Sequence, residues 1–188
     1  MATSADLATD PSLGARPPLG KIQHFQALEH SWSCSLAESI ASRNLVLLLV
    51  AVSRFGNWAL SATTAVLLLA VAGPRVFGLY LAATLVGVVF QSGVKRLCRR
   101  TRPCQRPDGP PQRAPIPDHG SFPSGHALHA VMAAVVVTVL LPSVSPFFII
   151  VAGLMAVSRV VLGVHYPTDV VAGGVIGALF AVLLLTLV

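Results

Sequence analysis

The chain has 188 residues, of which 54% are hydrophobic and only 11% charged, and its formal net charge is +6. Soluble domains have about a quarter of their residues charged, so this composition, with a mean hydropathy of +0.76, argues against a soluble protein. It predicts one membrane-embedded domain, because a domain takes roughly 100–200 residues. The basic excess fits anionic lipid or a phosphorylated substrate. Nucleic acid is disfavoured as a partner, because the basic residues adjoin apolar segments.

The N-terminal part of the chain is predicted to lie outside the membrane core. Residues 1–20 combine acidic residues and prolines with small residues and have no apolar stretch after a basic start. We therefore expect a disordered tail and no secretory signal there. Residues 21–43 alternate polar and apolar side chains, which predicts one or two helices at the membrane interface. Residues 44–52 are apolar but cover about half a bilayer crossing, so residues 21–56 are assigned to this interfacial part.

The rest of the chain, residues 57–188, consists mainly of long apolar runs. We expect membrane spans at residues 57–72, 76–99, 125–141, 146–162 and 167–188. Only helices and closed barrels satisfy backbone groups in lipid, and these runs are too long and continuous for barrel strands. The predicted fold is therefore an all-α membrane bundle of about five transmembrane helices. Pro103 is expected to close the second of them.

Polar clusters interrupt the apolar chain, and the predicted topology brings them to one face of the membrane. The second span ends with Lys95 and leads to Arg102, and the next span begins at residues 123–126. That helix crosses away, and the following helix returns with Arg159 just before His165. Alternate crossings therefore place the three clusters on the same side.

The first cluster contains Lys95 and Arg102, which are seven residues apart and so about two helical turns from each other. The two side chains could share a helix face and bind one anion. Basic residues at the end of a span are also typical of interfacial anchors. We interpret Arg96, Arg99 and Arg100 as such anchors.

The second cluster is Ser124-Gly125-His126, directly after Pro123. Free N–H groups and the dipole of a helix N-terminus favour a bound anion, and Gly125 would let the backbone approach it closely. Ser124 as a plain helix N-cap and His126 as an interfacial histidine are the alternative interpretations, and the cluster by itself leaves them open.

The third cluster is Arg159, His165 and Asp169. A carboxylate four residues after a histidine can accept its ring N–H, which leaves the other nitrogen free as a nucleophile or base. Arg159 offers a planar fork for phosphate oxygens. The alternative, a helix cap by Asp169 and an anchoring Arg159, is weakened because polar groups near lipid are costly. Together the three clusters supply cations, two histidines and a carboxylate, an inventory suited to phosphoryl transfer.

These residues resemble the three-part signature of the type 2 phosphatidic acid phosphatase superfamily. The chain reads KRLCRRTRP from Lys95, PSGH from Pro123 and SRVVLGVHYPTD from Ser158, in the order of that family and without departure. The resemblance covers roughly residues 54–188. It implies a helical membrane core, a phosphatase or phosphotransferase activity that needs no metal or other cofactor, and a lipid phosphate as substrate.

The resemblance also implies roles for individual residues. His165 would be the nucleophile that forms a phosphohistidine, and Asp169 would orient it. His126 would be the general acid for the leaving group and later the base for water. The implied phosphate-binding residues are Lys95, Arg102, Ser124, Gly125 and Arg159.

Other functions use similar residues. A metal hydrolase is disfavoured because a site with one carboxylate and several cations would repel a divalent ion. A non-catalytic scaffold or transporter would be expected to carry a degenerate signature. A phosphotransferase, or a phosphatase acting on a sugar phosphate, would use the same site and stays open.

The distribution of basic residues predicts which way the site faces. Basic residues before the first span, such as Arg43 and Arg54, and those beside the catalytic loop, such as Arg106 and Arg113, fall on one face, whereas Arg75 falls on the other. Because Lys and Arg accumulate near span ends on the cytoplasmic side, we expect a cytoplasm-facing site.

Overall fold

The computed structural model describes residues 21–40, 42–56, 58–116 and 120–188, with residues 22 and 23 described by their backbone alone. The predicted tail, residues 1–20, lies outside these ranges. The described part of the chain forms seven α-helices. They are α1 (Lys21–Ser39), α2 (Arg43–Phe55), α3 (Ala59–Ala72), α4 (Pro74–Cys98), α5 (Gly125–Leu140), α6 (Ser145–Val161) and α7 (Pro167–Thr186).

Helices α3 to α7 correspond to the apolar runs that the sequence marks as spans. Three described segments are long and apolar enough to cross a membrane, namely Pro74–Gln105, Pro142–Val161 and Pro167–Thr186. Helices α3 and α5 are also apolar but shorter, with 14 and 16 residues. Prolines occupy the first turn of α4, α6 and α7, where a missing backbone N–H leaves no intrahelical bond unmade.

Helix α4 ends within one residue of its predicted span but well before Pro103. Its last residue is Cys98, and Arg99 takes a left-handed conformation with φ 45° while its N–H bonds to the Lys95 carbonyl. Such a residue terminates a helix by satisfying one of its last carbonyls. The sequence predicted that Pro103 closes α4, and this was wrong. Pro103 instead begins the short 3-10 helix Pro103–Gln105. Lys95 and Arg102 consequently do not share a helix face.

Helices α1 and α2 pack at the end of the bundle that carries the polar clusters. The helix axis changes direction by 118° between residues 24–39 of α1 and α2. Both helices contact α6. In α2, Leu49 packs with Leu162, Val164 and Ala114 from the connections near that end. Helix α2 has 13 residues and is therefore about 20 Å long. A full crossing of the hydrocarbon core needs about 30 Å, or roughly 20 residues. The location of α1 and α2 at a membrane interface stays a prediction.

Helix α5 lies at the centre of the bundle and approaches α7 most closely. The spacing of Gly173 and Gly177 predicts close helix packing, and a Cβ on Gly177 would collide with the Leu128 carbonyl oxygen. At the site end, the Ser124 N–H donates to the Asp169 carbonyl at 2.9 Å. The tight α5–α7 contact therefore joins the beginnings of these two helices, where the second and third polar clusters lie.

Candidate active site

A cavity of about 210 Å³ opens where the three polar clusters meet. Helix α4 contributes Lys95, the beginning of α5 contributes Gly125 and His126, and the connections around the bundle contribute Arg102 and His165. Three polar segments that are distant in the sequence thus surround one space, as the predicted topology requires.

His165 occupies the turn between α6 and α7 and is 2% exposed. Its Nδ1 lies 3.5 Å from a carboxylate oxygen of Asp169, and its Nε2 lies 3.2 Å from Nη1 of Arg102. The turn is held by the backbone, since the His165 and Val164 N–H groups both donate to the Arg159 carbonyl. The two nitrogens of the imidazole therefore have different neighbours: a carboxylate on one side and the phosphate-binding candidate Arg102 on the other.

The electrostatic surroundings of His165 favour its neutral form. Burial lowers the pKa of His165 well below its ordinary value, and the positive charges of Arg159, Arg102 and Lys95 lower it further. Desolvation and neighbouring cations both penalise an imidazolium. A neutral imidazole keeps a lone pair on one nitrogen, which nucleophilic attack requires.

Arg102 is fixed in the wall of the cavity by backbone carbonyls. Its Nη1 donates to the Val164 carbonyl at 2.7 Å, and its Nη2 donates to the Gly120 carbonyl at 2.8 Å. Lys95 reaches the same cavity from the last turn of α4 and is also buried. The fixed guanidinium and the ammonium place two positive charges beside His165.

Ser124, Gly125 and His126 open α5 at the site. The Ser124 hydroxyl accepts the Ala127 N–H at 3.4 Å, so this residue caps the helix, one of the interpretations that the sequence leaves open. Ser124 does not line the cavity, whereas Gly125 and His126 do. A Cβ on Gly125 would meet the Gln91 side-chain amide, so a larger residue here would require that amide to shift.

Arg159 lies behind the cavity wall rather than in it. Its side chain is 2% exposed, and its Nη1 donates to the Ser53 hydroxyl of α2. It is nevertheless close enough to His165 to be the first of the charges that lower the histidine pKa. Arg159 thus joins the N-terminal part of the chain to the site.

Arg100 and Glu29 belong to the surroundings of the site, although the sequence analysis did not select them. Arg100, interpreted there as an interfacial anchor, instead donates from Nη1 to Asp169 at 2.7 Å and from Nη2 to Glu29. Glu29 of α1 is 1% exposed and also accepts the Thr168 N–H at 2.9 Å. A lone glutamate in an amphipathic helix gives no sequence signal of its own, because its partners are Arg100 and Thr168, 71 and 139 residues further along the chain.

His129 and Gln91 also line the cavity, and neither was placed in the site from the sequence. His129 follows His126 by about one helical turn, so a second histidine on the same helix face was the available signal. Gln91 carries no comparable signal in the sequence.

Comparison with known families agrees with the signature. A family model described as the PAP2 superfamily matches residues 76–188, more than half of the chain. The chain belongs to the PAP2 superfamily. This confirms the resemblance drawn from the Lys95–Pro103, Pro123–His126 and Ser158–Asp169 motifs.

Curated relatives within this superfamily match shorter stretches. The chain is 40% identical over 87 residues to a decaprenylphosphoryl-5-phosphoribose phosphatase of Mycobacterium tuberculosis, a match that covers 45% of this chain and 46% of that protein. It is 36% identical over 104 residues to a lipid A 1-phosphatase of Rhizobium johnstonii, covering 51% and 43%. An undecaprenyl-diphosphatase of Sulfolobus acidocaldarius is 33% identical over 135 residues, covering 70% and 65%. The chain thus spans about half the length of the first of these relatives.

Solved structures show the same fold. A transmembrane PAP2 type phosphatidylglycerolphosphate phosphatase from Bacillus subtilis superposes with a TM-score of 0.70 at 22% identity, over 87% of this chain and 86% of that one. Aquifex aeolicus LpxE gives a TM-score of 0.68 at 22% identity, over 86% and 94%. The all-α, integral-membrane fold predicted from the sequence is therefore confirmed.

Proposed function

We propose that this chain is a membrane phosphatase that removes phosphate from a lipid phosphomonoester or diphosphate without a metal. The observation that carries the proposal is the placement of His165 between the Asp169 carboxylate and Arg102, in a cavity that also contains His126 and Lys95. Relatives named for phosphatase activity on lipid or polyprenyl phosphates support the substrate class.

In the first step, Nε2 of His165 attacks phosphorus and the bond from phosphorus to the leaving oxygen breaks. Asp169 faces Nδ1, so it holds the proton there and stabilises the positive charge that develops on the ring. Lys95 and Arg102 bind the phosphoryl oxygens, whose charge they neutralise in the transition state. His126 donates a proton to the leaving oxygen, which departs as the lipid alcohol or lipid phosphate.

In the second step, a water oxygen attacks phosphorus and the bond from phosphorus to Nε2 breaks. His126, now without its proton, takes one from the water. The products are inorganic phosphate and the regenerated imidazole. A phosphotransferase would differ only in the acceptor, an alcohol in place of water.

The charges around the site support a metal-independent reaction. Arg102 and Lys95 line the cavity, and Arg159 lies close to His165. The catalytic carboxylate, Asp169, is already paired with Arg100. Cations in these positions disfavour a divalent ion and suit a bound phosphate.

We also propose that the site faces the cytoplasm. Arg96, Arg99 and Arg106 are exposed at the site end of the bundle, whereas Arg75 begins α4 at the opposite end. An excess of Lys and Arg beside span ends is typical of the cytoplasmic side.

The test is an activity panel with the purified full chain in detergent and in proteoliposomes. Phosphate release is measured from polyprenyl diphosphate, a polyprenyl phosphosugar phosphate, phosphatidate and phosphatidylglycerophosphate, each with and without EDTA. We expect turnover of at least one lipid that survives EDTA, and inhibition by vanadate, which imitates the five-coordinate transition state. Loss of all activity in EDTA with recovery on adding zinc or magnesium would favour a metal hydrolase. Binding without turnover of any of these lipids would favour a scaffold or transporter.

A further inference from the structure

The cavity continues past the charged site to a second set of polar side chains. His129 on α5 and Gln91 on α4 both line it, together with Thr84 and Ser61. Gln91 precedes Lys95 by about one turn of α4, and His129 follows His126 by about one turn of α5. Because these two helices run in opposite directions through the bundle, His129 lies about one turn deeper than His126. Gln91 lies about one turn deeper than Lys95, with its side-chain amide beside Gly125.

Three polar atoms of this deeper part have no hydrogen-bond partner among the described residues. His129 is 7% exposed, and within the described part of the chain neither of its ring nitrogens has a hydrogen-bond partner. The same is true there of Oε1 of Gln91. Nearly all buried polar side-chain atoms in proteins have a partner in protein or ordered water. Three such atoms around one cavity therefore need polar partners, which ordered water supplies in the resting site and a polar ligand can supply during turnover.

The space is large enough for more than the phosphate. Its volume of about 210 Å³ is more than ten times the roughly 10–15 Å³ that one water needs by the same measure. The same space contains Lys95, Arg102 and His165 at one end and His129 at the other. A bound phosphate would therefore leave room for the adjoining part of the substrate.

The chemistry of the deeper part distinguishes between possible substrates. Among the described residues that line the cavity, the cations are Lys95 and Arg102, both at the charged end. A second phosphate would call for further cations in the deeper part. A neutral imidazole and an amide each offer a donor and an acceptor, and a hydroxyl group needs this combination.

We propose that His129 and Gln91 form a subsite for the hydroxyl groups of the leaving alcohol. The preferred substrate is then a phosphomonoester of a hydroxylated headgroup, a glycosyl or glycerol unit, rather than a simple lipid diphosphate. This inference rests on the proposed phosphatase function, because the leaving group must extend past His126 toward His129.

The test compares two substrates that differ only in these hydroxyl groups. One is a polyprenyl phosphopentose carrying the scissile phosphate on its pentose, and the other is its dideoxy analogue without the ring hydroxyls. The full-length protein should show a kcat/KM about ten- to hundredfold higher for the hydroxylated lipid, because a site built for hydroxyls leaves its buried polar groups unpaired with the analogue. Equal kcat/KM for the pair would overturn the inference.

Variants of the subsite identify its residues. In His129→Leu and in Gln91→Met, the preference for the hydroxylated lipid should fall to within about threefold, whereas His129→Gln, which still donates and accepts, should retain part of it. Val89→Leu, at a position on α4 that is 73% exposed, is the matched control and should keep the full preference. A loss of activity in the same ratio on both substrates would contradict a hydroxyl-binding role. The wild-type comparison decides the matter if a variant does not fold.

The two proposals fail in different ways. If the wild-type protein hydrolyses polyprenyl diphosphate and both pentose lipids equally, the phosphatase function stands and the subsite is wrong. If it hydrolyses none of the lipid phosphates in the panel, the proposed function fails and the subsite inference fails with it.

Discussion

The Arg100 guanidinium donates to the Asp169 carboxylate at 2.7 Å and uses its other terminal nitrogen to bind Glu29. Asp169 also accepts the Tyr166 N–H at 2.9 Å, and the Arg100 guanidinium lies 4.2 Å from the centre of the Tyr166 ring. The carboxylate that faces His165 is therefore held from several directions. One of its supports originates in α1, which lies outside the signature motifs.

Replacement of Glu29 should impair the reaction through Arg100. In Glu29→Gln, the half-buried guanidinium of Arg100 loses its second carboxylate and is no longer held against Asp169. We therefore expect kcat to fall about tenfold, or about 1.4 kcal/mol of barrier, with little change in KM. Steady-state kinetics on one lipid substrate measure the effect. Glu38→Gln removes an exposed glutamate from the same helix and should retain wild-type kcat. A Glu29→Gln protein with wild-type kcat would show that the network has no part in positioning.

Removal of the proposed nucleophile should abolish turnover. His165→Ala leaves no group placed to form the covalent intermediate, so activity should fall to background. Asp169→Asn should reduce activity less, because the imidazole remains. Initial rates and acid-labile labelling of the protein by substrate with radioactive phosphate measure the two effects. Retention of a tenth of wild-type activity in His165→Ala, a loss of only about 1.4 kcal/mol, would contradict the assignment.

The pH dependence should reflect the lowered pKa of His165. The group is inactive when protonated, and burial and neighbouring cations lower its pKa, so the acid limb of kcat/KM due to His165 should lie below about pH 6.5, the ordinary histidine value. Removing a positive charge makes the imidazolium less unfavourable and raises that pKa. Arg159→Met should therefore move the acid limb to higher pH, whereas Arg159→Lys, which keeps the charge, should move it less.

The same lowered pKa affects stability. Above the unfolded-state pKa of about 6.5, His165 is neutral in both states and its titration costs nothing. As the pH falls below that value, the unfolded chain takes up a proton that the folded chain does not, so the folded state loses stability.

Profiles of kcat/KM for wild type and both Arg159 variants on one substrate test the catalytic claim, because titration of the substrate is common to all three. An acid limb that does not move in Arg159→Met would contradict it.

The close contact between α5 and α7 should be sensitive to a single methyl group. A Cβ on Gly177 would collide with the Leu128 backbone, whereas a Cβ on Gly153 of α6 would have no atom of the described residues within 4 Å. Gly177→Ala should therefore destabilise the bundle by about 1–3 kcal/mol and lower activity by separating Asp169 from α5. Gly153→Ala should be neutral or slightly stabilising, because alanine favours a helix. Thermal unfolding in detergent compares them, and equal melting temperatures would refute the packing argument.

The orientation of the site can be tested by cysteine labelling. Cys98 is exposed at the site end of α4, and Cys34 and Cys104 are half-buried, so a Cys34→Ser, Cys104→Ser variant leaves one accessible thiol. We expect no labelling by a membrane-impermeant thiol reagent in intact cells and efficient labelling after permeabilisation. A cysteine-free protein with Ser143→Cys, in the exposed connection at the opposite end, should give the reverse. Labelling of Cys98 in intact cells would show that the site faces outward.

Local sequence patterns were sufficient for the helical core, and they selected candidate site residues whose catalytic and binding roles stay predictions. Apolar runs bounded by prolines predict α4, α6 and α7 closely, because lipid admits few alternatives to a helix. The signature residues, among them Lys95, His126 and His165, could be selected because polar side chains within apolar segments are costly and usually functional. The expectation that Pro103 closes α4 was wrong, because the helix ends at a left-handed Arg99 and no glycine in the sequence marks that turn.

Tertiary structure alone decided how those residues are supported. Glu29 and Arg100 meet across 71 positions of sequence, and Ser53 meets Arg159 across 106, pairings that follow from how α1 and α2 fold over the site. His129 and Gln91 likewise line one cavity only because α4 and α5 face each other across it. Hydropathy and motif spacing report which residues are costly in lipid. The partners that offset that cost are distant in the chain, and only the packing of helices brings them within hydrogen-bonding distance.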